Sequence, residues 1–115
     1  MDAHARLERL VADALTSADP VAGFELAARD PELPGELRSA LRLARPTGIR
    51  MAALIVARLR FERLLQGSRH ASEWFARDPA DFTRAFKRYH HSVPPTASLP
   101  SEEAELFETW RADPG

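Results

Sequence analysis

Apolar positions recur at helical spacing along nearly the whole chain. Leu7, Leu10, Val11, Ala14 and Leu15 follow i, i+3, i+4, i+7 and i+8, one stripe of a helix over about residues 3–16. Val21, Phe24 and Leu26 mark a second helix that begins at Pro20 and stops near Asp30. Leu37, Ala40, Leu41 and Ala44 mark a third, over about residues 34–44. The fourth covers about residues 47–66. In its first half Ile49 and Met51 to Val56 leave almost no polar face, which predicts burial on most sides. Its second half is amphipathic, with Leu59, Phe61, Leu64 and Leu65 among Arg58, Arg60, Glu62 and Arg63. Ala71, Trp74 and Phe75 give a short fifth helix, and Phe82, Phe86 and Tyr89 a sixth at i, i+4, i+7. Phe107 and Trp110 edge a last one. Val, Ile and Thr are sparse and no period-two alternation occurs, so no strand is expected. The pattern predicts an all-α bundle of six to seven short helices around a central buried fourth helix.

The breaks between these stripes follow the prolines. Asp19-Pro20 and Asp78-Pro79 read as helix starts, because Asp accepts from a free helical N–H and Pro suits the first helical position. Asp-Pro also occurs at residues 30–31 and 113–114. Arg45-Pro46-Thr47-Gly48 separates the third helix from the fourth, and Gly67 is placed to cap the fourth. Val93-Pro94-Pro95-Thr96 is expected to be extended, either a strap over the core or a docking strip. Ser101 is expected to cap the last helix, with Glu102 and Glu103 in its first turn, where the helix dipole favours acid.

A chain of 115 residues, 44% hydrophobic and 29% charged, fits one globular domain. Charge divides it into acidic helices over 1–37, a basic, aromatic region over 38–91 and a Pro-rich strap with an acidic helix over 92–115. The first block has three basic and eight acidic residues, the second twelve and four, the third one and five. The net charge of −1 gives no global attraction to nucleic acid. The absence of cysteine rules out disulfides, thiolate metal sites and cysteine nucleophiles. The start of the chain lacks a signal-peptide pattern, and no apolar run approaches the roughly 20 residues of a membrane span, so a cytoplasmic protein is expected.

The four histidines offer little for a metal. His90 and His91 are adjacent and diverge by about 100° on a helix. His70 and Glu73, at i and i+3, are a geometrically possible pair. No Gly-x-Ser-x-Gly elbow, P-loop or dinucleotide fingerprint occurs. Neither a cofactor nor a metal is called for, and catalytic residues are not assigned. The fourth helix, following a turn at Pro46 to Gly48, is too apolar at Ile49 and Met51 to Val56 to read a DNA groove. Eight of nine aromatics lie after position 60. They read first as a C-terminal core and second as a groove with neighbouring arginines, since Trp, Tyr and Arg concentrate at binding hot spots.

The series Phe61, Leu64, Gly67, Ser68, Trp74, Phe75, Asp78, Pro79, Phe82, Phe86, Tyr89, His90 and Val93 to Thr96, then Glu103, Ala104, Phe107 and Trp110, resembles small helical accessory proteins found with iron-dependent enzymes that modify ribosomally made peptides. The resemblance covers about the last half of the chain. It implies an adaptor that holds a precursor peptide and its modifying enzyme, and it transfers no individual functional residue. The resulting expectation is a non-catalytic binder of a protein or peptide. Its contact residues are expected to be Arg58, Arg60, Arg63, Trp74, Arg84, Lys87, Arg88, Tyr89 and Trp110. A DNA-binding regulator and a small metal- or His-dependent enzyme stand as alternatives.

Overall fold

A computed structural model describes residues 2–113, and the last Asp-Pro pair therefore extends outside the described residues at Pro114. Within them the chain forms seven α-helices and no strand: α1 (Ala3–Thr16), α2 (Pro20–Ala27), α3 (Gly35–Leu43), α4 (Pro46–Gly67), α5 (Arg69–Arg77), α6 (Pro79–Ser92) and α7 (Pro100–Ala112). The all-α reading holds. Caps set many of the ends. Asp2, Asp19, Ser68 and Asp78 accept from the N–H groups of Ala5, Ala22, Ala71 and Asp81 at 2.7, 3.2, 3.0 and 3.1 Å. Asp30-Pro31, by contrast, starts no helix. The Asp30 carboxylate accepts from Glu32 N–H at 2.9 Å in a turn.

By backbone proximity the chain divides into two units, Met1–Val56 and Ala57–Gly115. The core of the first consists of Ala27, Ala28, Leu33 and Leu41, with Leu7, Leu10, Val11 and Phe24 packed against it. Gly23 lets α2 approach α1 closely, since a Cβ there would stand 2.8 Å from the Ala14 Cβ. Arg6 ties α1 to the α2–α3 connection through Asp30 at 2.7 Å and Glu32 at 2.8 Å. Its guanidinium, with the Glu32 N–H, holds the Asp30 carboxyl below the usual carboxylate range.

The second unit packs Leu64, Ala71, Phe82, Phe86, Tyr89 and Phe107 into one core, with Phe61, Phe75, Trp74 and Trp110 against it. Edge-on ring pairs dominate it: Phe61 meets Phe75, Phe82 and Phe86 at centroid distances of 5.4, 5.6 and 5.0 Å. Gly67 does not act as a left-handed cap. It is the last residue of α4, and no described residue has a positive φ. Its value is clearance, because an added Cβ would lie 2.0 Å from the Pro100 carbonyl oxygen at the start of α7.

Two further expectations are corrected. Ser101 does not cap α7. The helix starts at Pro100 with its cap at Leu99, two residues earlier than expected, and the Glu102 carboxylate accepts from the N–H groups of Ser98 and Leu99 at 3.0 and 2.9 Å. Nor is the first half of α4 buried on most sides. Ile49 is buried, but Met51, Leu54 and Ile55 are 56%, 66% and 52% exposed. The first unit closes its small core with α1 to α3 and needs only part of this apolar surface.

Candidate functional site

α6 carries five buried residues and a set of three exposed cations. Phe82, Ala85, Phe86, Tyr89 and His90 are buried along one face. Arg84, Lys87 and Arg88 recur at i, i+3 and i+4 on the other and are exposed. Arg84 Nη2 lies 3.4 Å from Asp81 Oδ1. Lys87 and Arg88 have no carboxylate partner among the described residues. Because the inward face is locked, these cations stand on a rigid support.

Arg60 and Tyr89, expected at the binding surface, are instead fully buried. Arg60 lies on the inward face of α4, one turn before Leu64. Its Nε donates to Glu103 Oε2 at 2.9 Å. Nη1 donates to the Val93 carbonyl at 2.7 Å, and Nη2 to that of Pro94 at 3.3 Å. The guanidinium stacks 4.4 Å from the Tyr89 ring centre. The Tyr89 hydroxyl donates to the same Glu103 oxygen. Arg63, partly exposed, approaches Glu103 Oε1 at 3.4 Å. A buried charge persists only when paired and fully hydrogen-bonded, and Glu103 meets that condition. The extended Val93–Pro94 segment is therefore a strap fastened by Arg60 to the core.

This cluster perturbs its neighbours. Burial first, and then the charge of Arg60, push His90 down to about 4, so the ring is neutral near pH 7. It stacks on Phe86 at 5.5 Å, and its Nδ1 lies 3.4 Å from Arg60 Nη1, as fits an acceptor nitrogen. Burial and the Glu103 hydrogen bond raise the Tyr89 hydroxyl well above its ordinary value, so it stays protonated.

The remaining expected residues divide. Trp74 and Trp110 are partly buried against the aromatic core, Trp74 donating to Asp81 Oδ2 at 3.0 Å. Arg58 is exposed and pairs with Glu62 at 3.1 Å. Of the possible metal pair, Glu73 is engaged by Arg69 at 3.1 Å, while His70 lies 3.4 Å from Glu108 and 3.3 Å from Arg111. Among the described residues no group of three His, Asp or Glu side chains is placed to hold a metal, and no helix is long and apolar enough to cross a membrane. Glu103 is the residue that the sequence reading missed. Its signal was the spacing Glu103, Phe107, Trp110, which puts it on the apolar edge of α7.

Comparison with protein-family models, with curated proteins and with solved structures finds no match to this chain.

Proposed function

We propose that this chain is a non-catalytic adaptor that binds an acidic segment of a protein or peptide along the outer face of α6. One observation carries the reading: Arg84, Lys87 and Arg88 are exposed together on a helix whose other face is locked into an aromatic core. The helix backbone needs no rearrangement to present these cations, which confines the ordering cost of binding to their side chains. The resemblance to accessory proteins of iron-dependent peptide-modifying enzymes narrows the proposed partner to an acidic precursor peptide or to its enzyme.

The test uses the intact chain and a fluorescent Glu/Ser peptide in anisotropy titrations, with co-purification of partners in parallel. Arg84→Glu with Arg88→Glu is expected to weaken peptide binding at least about tenfold and to remove any co-purifying partner, while leaving the fold intact, since both side chains are exposed. Unchanged binding by the double variant contradicts the proposal. Tighter, salt-dependent binding of duplex DNA in place of the peptide favours the regulator instead.

A further inference from the structure

The first unit contains a groove that the α6 reading does not use. It is bounded by α2, α3 and the first turn of α4, and holds about 360 Å³. Its floor is apolar: Phe24, Ala28, Leu41 and Ile49 line it, the last three buried. Its charged lining consists of Glu25, Arg29 and Arg42, a surplus of one positive charge. Arg42 Nη2 donates to the Ala28 carbonyl at 3.3 Å, which holds that guanidinium over the groove. Neither Arg29 nor Arg42 has a carboxylate partner among the described residues.

We infer that this groove is a second docking site, taking a short amphipathic peptide segment whose apolar side chain enters between α2 and α3 and whose carboxylates meet Arg29 and Arg42. The volume lies within the roughly 300–1,000 Å³ typical of ligand pockets, enough for one or two large side chains. Charge complementarity selects the acidic segment over a basic one. The acidic feature distinguishes the occupant from a purely apolar chain, which would offer the two exposed guanidinium groups no carboxylate. The groove and the α6 face belong to different units, so the groove is tested separately from α6.

The test titrates the intact chain, ¹⁵N-labelled and carrying Arg84→Glu and Arg88→Glu, with a synthetic twelve-residue peptide that has Leu on one face and Glu on the other. Those two substitutions remove the α6 face, so success or failure here is independent of that reading. Amide shifts are expected at Phe24, Ala28, Leu41 and Ile49, and the peptide with Ser in place of Leu is expected to give none there. Adding Arg29→Glu and Arg42→Glu is expected to raise Kd at least about tenfold. Ala44→Trp, at the half-buried edge of the groove, is a second variant expected to block binding. Equal binding of a Leu/Lys peptide, binding insensitive to both sets of variants, or no shift in the groove overturns the inference. So does saturation of the groove by decanoate with no binding of the peptide, or its occupation by a second copy of the chain, seen as concentration-dependent shifts without peptide.

Discussion

Arg60 and Glu103 are opposite charges without solvent access, and their geometry decides what a substitution does. Removing one partner of a buried pair leaves the other uncompensated and typically costs about 3–5 kcal/mol. Glu103→Ala is therefore expected to destabilise the second unit by that amount in urea titrations, and Arg60→Met with Glu103→Leu to restore much of the loss. The neighbouring His90 supplies a pH signature. Its folded value of about 4 lies below the ordinary 6.5 that the unfolded chain retains. Between these values the unfolded state binds more protons, so stability falls as pH drops from about 6.5 to 4. NMR titration of the His90 ring is expected to give a midpoint near 4, and His90→Phe to remove its share of the slope. Neither inward placement was read from the sequence, Arg60 being expected at the binding surface and Glu103 only beside the helix dipole, although Leu64 and Phe107 lie one turn away on the same faces. Their pairing was not legible, because 43 residues separate them and spacing within a helix says nothing about which helix it faces.

At the scale of the element, caps and clearances fix where helices begin and how closely they approach. Asp78→Ala removes the side-chain acceptor at the start of α6 and is expected to cost about 1 kcal/mol. Gly67→Ala is a different matter. The added carbon would collide with the backbone of Pro100, not with a flexible side chain, so α7 must shift. A loss of about 1–3 kcal/mol is expected by thermal denaturation. Asp-Pro starts at residues 19 and 78 could be read directly, since the chemistry of the cap is local. The clearance role of Gly67 could not, because a helix-terminal glycine looks the same whether it turns the chain or admits a neighbour. The apolar first half of α4 misled for a related reason. Hydropathy records what a segment can bury, and Met51, Leu54 and Ile55 find little to bury against in a unit whose core is built by α1 to α3.

Across the molecule, the acidic-basic-acidic order of the sequence does not leave its middle block uniformly free and basic. The basic block spans the division between Val56 and Ala57, and part of it is neutralised internally, Glu103 of the acidic C-terminal block meeting Arg60 and Arg63. Residues 57–115 carry nine basic and nine acidic side chains, so what distinguishes α6 is the placement of charge rather than its total. Of the nine residues expected to bind a partner, Arg60 and Tyr89 serve the core, Trp74 and Trp110 pack against it, Arg58 pairs with Glu62 and Arg63 with Glu103, and Arg84, Lys87 and Arg88 form an outward set. The binding of acidic peptide is expected to weaken as salt rises, since exposed charges are screened beyond about 10 Å at 0.1 M. The most direct measurement is an amide-shift map of the intact chain titrated with the Glu/Ser peptide at low salt. Shifts concentrated at Arg84, Lys87 and Arg88, lost in Arg84→Glu with Arg88→Glu, are the predicted result. Saturable binding that leaves α6 unperturbed, or no binding at all, would contradict the account.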